Sequence, residues 1–314
     1  MAHPDNLRRA RASLATLFEP DDPHLRDLLA AHGPVDAVTL LVAEGRPPAA
    51  GRRADPRGIR VEQVRQVLAA VVAAADGQGH GGRIVIPEDE DWPTGLADLA
   101  AAPAPDAARP AALCLWVRGD RPVHATLARA VTVTGARAAT SYGQYVATEL
   151  GRELANRGWT VLASGALGVD AAAHRGALAV GGPTVALLPG GVDRPYPASH
   201  ANLFHQVANE GLLVSAWPPG TTPTRSRFTT NQRLLAALAA GTVVVEATPR
   251  SGALHALRAA ITLGRPAMVV PGPVTSALSV GCHQALRQHP QARLVTGIHD
   301  VLAELTRPAA TPHQ

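Results

Sequence analysis

The chain has 314 residues, 46% hydrophobic and 17% charged, with a formal net charge of +4, which is enough apolar material for a sizeable core and two domains. No apolar run is long enough to span a membrane, and the polar, charged start is not a secretory signal. Cys114 and Cys282 lie far apart without metal-ligand spacing, and the 13 histidines form no H-E-x-x-H or Cys/His pattern, so a reduced cytoplasmic compartment and no metal site are expected.

All 29 positively charged side chains are arginine. Together with abundant alanine, glycine and proline this is the mark of a GC-rich genome, so the distribution says more than the total. Residues 1–82 hold 10 arginines against 10 acidic residues, and residues 83–126 hold 4 against 7. Residues 127–305 hold 14 against 8. The positive excess sits in that last stretch, as a polyanion partner requires.

In chain order, Asn6 to Leu17 and His24 to Ala31 are short amphipathic stretches, broken by Pro20 to Pro23 and by Gly33-Pro34. Val35 to Val42 and Val61 to Ala75 continue the helical pattern across a Gly-, Pro- and Arg-rich loop from Gly45 to Gly58. Residues 1–82 therefore predict a small helical accessory domain. Arg8, Arg9 and Arg11 offer it a nucleic-acid contact or, as is commoner for a cluster at a chain start, a solvated face. Residues 83–126 read as a connector: Asp76 to Gly82 is a glycine-rich linker leading in, Ile84 to Ile86 a strand, and Pro87 to Pro93 an acidic turn carrying Trp92. Ala100 to Pro110 is low in complexity, and Leu113 to Val117 is a further strand.

From residue 127 to 305 strands and helices alternate as an α/β, doubly wound, mostly parallel Rossmann-like sheet requires. Val131 to Thr134 is a strand, Gly135-Ala136-Arg137 a turn, and Thr140 or Ser141 caps a helix with Val146, Leu150 and Leu154 on one face. Trp159 to Ala163 is the next strand, and Ser164-Gly165 turns into a helix whose first turn holds Asp170. Strands follow at Thr184 to Leu188, Leu212 to Ser215, Thr242 to Ala247 and Ala267 to Val270. Helices are expected at Ser199 to Asn209, at Phe228 to Ala239 and after Ser251-Gly252. Residues 306–314 form a tail.

The turns matter because ligands of parallel sheets collect outside the carboxyl ends of the strands. There glycines let backbone N–H groups approach an anion, and helix N-termini add partial positive charge. Arg137 would grip a phosphate through two parallel hydrogen bonds. For a single turn the commoner reading is that the glycines only make tight bends and the arginine is solvated, since fold does not imply function. Several such loops aimed at one edge favour the anion site. No G-x-G-x-x-G occurs, so no dinucleotide cofactor is expected, and none of another kind is indicated.

Residues from about 84 to 305 resemble the DNA-processing protein A (DprA/Smf) family. The matching pieces are Gly135-Ala136-Arg137, Ser164-Gly165 with Gly168-Val169-Asp170, Ala172 to Leu178, and Val192 to Pro197. Val245-Glu246-Ala247 with Ser251-Gly252, and Gly264-Arg265-Pro266 leading to Pro271-Gly272, complete the series in the family's order. The first 82 residues resemble the small helical domain, of SAM or helix-hairpin type, that many members carry. Nothing after Leu305 is long enough for the winged-helix domain that some add. The resemblance implies an extended Rossmann fold and a non-catalytic protein that binds single-stranded DNA. It also implies protection of incoming strands in natural transformation, help in loading the RecA recombinase, and a homodimer. It places the phosphate contacts at Gly135, Arg137, Ser164, Gly165, Gly168, Asn231, Arg233, Ser251 and Gly252.

The departures are as specific. The loop from Ser164 to Asp170 is one residue shorter than usual, and Leu167 stands where arginine or tyrosine is common. Asn231-Gln232-Arg233 replaces the family's R-N-R, Ala256 replaces a small polar residue, and Cys282-His283 stands for Thr-Asn. Fewer charge-assisted bonds, each worth roughly 1.5–3 kcal/mol, imply weaker phosphate binding. Asp170 reads as a cap, His174 as a structural histidine, and Ser164 and Ser251 as donors rather than nucleophiles. Glu246 would orient Arg233 or Arg137, or act as a base. The competing reading is a nucleotide sensor or phosphoribohydrolase-like enzyme of the same superfamily fold, suggested by Pro189-Gly190-Gly191 and by Gly241-Thr242 to Glu246. With few aromatics, base stacking is expected to be minor.

Overall fold

The computed structural model describes residues 4–44, 61–75, 82–101 and 112–307. The loop from Gly45 to Gly58, most of the linker and of the low-complexity stretch, and the tail from 308 lie outside these. The described strands are Arg83–Val85 (β1), Leu115–Arg118 (β2), Ala130–Thr134 (β3), Thr160–Ala163 (β4), Thr184–Leu188 (β5), Leu212–Ser215 (β6), Gly241–Val244 (β7), Ala267–Val269 (β8) and Ala292–Leu294 (β9). They form one sheet in the order β1-β2-β6-β5-β4-β3-β7-β8-β9. Strands β3 to β9 pair in parallel, and β1 and β2 add an antiparallel edge beyond β6. Every residue of β3 to β8 is buried. Helices cover both faces of such strands, which is why they read as near-continuous apolar runs.

The chain runs from β3 through β4 and β5 to β6, then returns to the other side of β3 for β7, β8 and β9. The strand order therefore reverses between β3 and β7. The helix after β3, Ser141–Asn156 (α6), is capped by Thr140, whose hydroxyl oxygen accepts from the Gly143 N–H at 3.2 Å. It lies against Val169–Leu178 (α7) at close range. A Cβ on Gly151 would collide with the Ala173 carbonyl oxygen, and one on Gly176 with that of Thr148. Two side chains reduced to hydrogen thus set the distance between these helices.

Before β1 come Pro4–Leu17 (α1), Pro23–Glu44 (α2) and Val61–Ala75 (α3). The expected break at Gly33-Pro34 is a non-helical residue inside α2, with Gly33 at φ 69°. Leu14, Leu25 and Leu41 of these helices share one buried cluster with Ile86, Trp116 and Leu213 of the sheet region. Arg8 pairs with Asp89 at 2.6 Å, and Arg11 holds Glu88 through bonds of 2.6 and 2.8 Å. The acidic turn and Arg8 and Arg11 are thus one clamp between helices and sheet. Arg8 and Arg11 are therefore paired with carboxylates rather than projecting alone into solvent.

Two boundaries near the cleft differ from the sequence reading. Strand β7 stops at Val244, and residues 245–247 run on as a loop with the Val245 N–H on the Thr134 carbonyl. The helix expected from Phe228 begins at Arg225 (Arg225–Leu238, α9) because the Thr224 hydroxyl caps it. The reading also passed over Gly95–Ala101 (α4), Val123–Leu127 (α5), Val280–Gln288 (α11), β9 and Ile298–Thr306 (α12). The remaining helices are Ala201–Glu210 (α8) and Ala253–Thr262 (α10).

His174 is fully buried on α7 and meets the Thr184 hydroxyl at 2.7 Å. That hydroxyl donates to the Val161 carbonyl, so the imidazole Nδ1 carries the proton and donates to it. Burial, then the His200 and Arg175 charges, pull the His174 pKa down to about 3. An unfolded imidazole titrates near ~6.5. Its contribution to stability is therefore complete above that pH and lost as pH falls, at up to about 1.4 kcal/mol per pH unit. His174→Gln is expected to flatten the pH dependence of urea unfolding between about pH 6.5 and 4; a slope equal to the parent's would contradict this assignment.

Candidate nucleic-acid interface

A cleft of about 640 Å³ opens where the strand order reverses. Its floor is the carboxyl end of β3 and β4, at Thr134, Gly135, Ser164 and Asp170. One wall is the first turns of α9, with Arg225, Phe228, Thr229 and Gln232, and another is the loop and first turn of α10, with Arg250 to Ala253 and His255. In open α/β sheets this crevice is where ligands bind.

The loops are fixed from below. Asp170 is buried and accepts from the Ser164 N–H at 3.0 Å, from the Thr134 hydroxyl at 2.9 Å and from the Ser164 hydroxyl. Burial pushes its pKa up, and these bonds oppose the shift. The His200 Nδ1 lies 3.0 Å from the Gly165 carbonyl, and Gly165 (φ 73°) and Gly168 (φ 78°) adopt the left-handed backbone that the short loop needs. Glu246, 1% exposed, accepts from the Thr140 N–H at 2.9 Å and its hydroxyl at 2.6 Å. It thus joins the start of α6 to the end of β7, its two bonds going to Thr140 rather than to Arg137.

Arg137, Arg225 and Arg250 bring three guanidinium groups to the cleft, and Asp170 is the one carboxylate among the described lining residues. The Arg137 guanidinium lies 4.6 Å from the centre of the Phe228 ring, and Tyr196 meets that ring edge-on at 6.0 Å. Half of Tyr196 is exposed. Cations, aromatics and a glycine edge therefore converge here. Among the described residues no group of three or more His, Cys, Asp or Glu could hold a metal ion.

Of the residues singled out in the sequence, Gly135, Arg137, Ser164, Ser251 and Gly252 line the cleft. Both polar groups of Ser164 are directed at Asp170. Gly165 and Gly168 shape the loop without lining the cleft. Asn231 is fully buried, with its amide donating to the Leu187 carbonyl at 2.8 Å. Arg233, on α9, is not among the residues lining the cleft but is near enough to His255 for its charge, after burial and Arg258, to help lower that imidazole's pKa. Sequence reasoning missed Arg225, Arg250, His255 and the aromatic pair. Residues 225, 228, 229 and 232 carry the signal that would have found one wall, since they recur at the spacing of a single helix face.

The wall made by α9 is anchored by the helical module. Glu19, at the end of α1, accepts from the indole N–H of Trp217 at 2.8 Å and from Arg227 Nε at 3.0 Å. Arg227 also donates to the Thr222 carbonyl at 2.8 Å, so Glu19 restrains the whole β6–α9 loop. Glu19→Ala is expected to cost about 1 kcal/mol of stability, the carboxylate being part-exposed, and to speed amide exchange across residues 217–227. Unchanged exchange there would disprove the anchoring.

The sequence profile of DNA recombination-mediator protein A matches residues 83–306. The chain is 42% identical over 305 residues to a Mycobacterium tuberculosis (strain H37Rv) DNA processing protein DprA, covering 95% of this chain and 75% of that one. It is 39% identical over 145 residues to the DprA of Streptococcus pneumoniae strain R6, covering 46% and 51% of the two chains. The solved DprA from Streptococcus pneumoniae superposes with a TM-score of 0.71 over 97% of both chains at 24% identity. DNA processing protein A from Helicobacter pylori, described for its single-stranded DNA binding mode, gives 0.60 over 71% of this chain and 95% of that one, at 26% identity. The glycine loops, the sheet that carries them and these relatives agree: the chain belongs to the DNA recombination-mediator protein A family, which is the DprA/Smf family that its motifs resemble.

Proposed function

We propose that the chain binds single-stranded DNA in the cleft at the β3–β7 reversal and does not cut it. The observation that carries this reading is the grouping of Arg137, Arg225 and Arg250 around the Tyr196–Phe228 pair, above a carboxylate already committed to the loops. Guanidinium groups take backbone phosphates, and the exposed face of Tyr196 offers a stacking surface that accepts any base. Gly135, Ser251 and Gly252 admit the strand close to the backbone. Asn231, Gly165 and Gly168 serve the cleft by holding its walls. Arg225 and Arg250 supply charge that the incomplete R-N-R segment lacks.

The family relationship supports the finer assignment: protection of incoming strands in natural transformation, loading of the RecA recombinase, and action as a homodimer. A dimer near micromolar concentration in sedimentation, and faster RecA filament formation on a strand already coated by this protein, are the results that would bear it out. The phosphoribohydrolase-like reading gains no support from Glu246. Its carboxylate caps the Thr140 end of α6 and is not among the described residues lining the cleft.

Fluorescence anisotropy with a labelled single strand tests the reading. Arg137→Ala and Arg225→Ala should each weaken binding by about tenfold or more, equivalent to roughly 1.5–3 kcal/mol. Each should also reduce the slope of log affinity against log salt by about 0.7, with little change in thermal stability. Parent-like affinity in both variants would reject the cleft.

A further inference from the structure

A second groove, of about 240 Å³, lies between α10 and α11. It adjoins the cleft through one segment of chain: Arg250 to Ala253 line the cleft, whereas Pro249 and Leu254 line the groove. One turn further along α10 the division repeats, with His255 in the cleft and Arg258 in the groove. The two residues are close enough for the Arg258 charge to act on the His255 imidazole, second only to burial.

The groove has the chemistry of a nucleotide site. Leu254 and Leu257 give it a buried apolar floor. Gln284, Gln288 and His289 on the α11 side supply hydrogen-bonding groups, and no carboxylate is among the described lining residues. Arg258 is exposed, and no carboxylate pairs with its guanidinium among the described residues. A lone guanidinium at the mouth of an apolar-floored, carboxamide-lined groove suits a phosphate with its sugar and base beneath it.

We propose that the α10–α11 groove is a second nucleotide subsite. A single strand leaving the cleft past Ser251 and Gly252 continues into it, with Arg258 on the next backbone phosphate and Gln284 and Gln288 on the base. The proposal rests on the cleft being the primary strand site. It makes the interface longer than the cleft alone, and it makes affinity depend on strand length.

The test compares oligothymidylates of about 3 and about 12 nucleotides, which fill the cleft alone and the cleft plus groove. Arg258→Ala should leave the short strand's affinity within about twofold and weaken the long strand by about tenfold. The long strand's salt slope should fall by about 0.7. Arg258→Lys should recover part of the loss, and Arg137→Ala should weaken both strands. If Arg258→Ala leaves both unchanged, or weakens both equally, while Arg137→Ala weakens both, the groove is not a subsite and the cleft reading stands. If Arg137→Ala weakens neither, the cleft reading fails and takes the continuous path with it. Thymidine monophosphate competing at the groove but not along the strand would assign the groove to free nucleotides and overturn the proposal.

Discussion

The buried carboxylate of Glu246 bridges the point where the sheet changes direction. Burying a charge is costly unless hydrogen bonds satisfy it. Here the Thr140 N–H and hydroxyl both donate to it, and the positive end of α6 lies alongside. Gly143 makes the approach possible, since a Cβ there would collide with the carboxylate. The same α6 turn is tied to the loop beyond β8 by the Tyr142 hydroxyl, which donates to the Pro271 carbonyl at 2.6 Å. Two halves of the sheet that diverge from this point are thus held at a fixed opening, and the cleft is that opening.

The opposite wall is held at both ends. Glu19 grips the start of α9 through Arg227. At the far end Arg265 donates to the carbonyls of Ala236, Ala237 and Ala239 while its other nitrogen pairs with Asp98 at 2.8 Å. Arginine serves here in two capacities. Held in a network, as Arg265 is, it closes a helix; over an aromatic ring with no carboxylate partner among the described residues, as Arg137 is, it is available to an anion. The total charge of the chain does not distinguish them; their partners do.

The parallel core was legible in the sequence because strands buried on both faces must be apolar and β-branched, and because glycine marks the turns that follow them. Strand β9 was not, since Ala292-Arg293-Leu294 is short and two of its residues are exposed. Gly135 and Arg137 could be placed because they follow a strand directly. Arg225 and Arg250 could not, since they sit on separate loops and meet only through the fold. Asn231 illustrates helix phase: it is adjacent in sequence to Gln232 of the cleft wall but points toward β5, where its amide reaches Leu187. The pairing of Arg8 and Arg11 with Asp89 and Glu88 was hidden for the same reason, the partners being far apart along the chain.

The contact of α6 with α7 through Gly151 and Gly176 has a consequence for thermodynamics. Helices seated backbone to backbone leave no side chain whose rotation would let one slide on the other, so they move as one body. The two loops at their leading ends, which begin at Gly135 and Ser164, are carried by that body and keep their mutual spacing. A ligand binding there as proposed would meet a floor of fixed spacing, so that the entropy lost on association would fall on the ligand and on the arginine side chains rather than on the backbone beneath them.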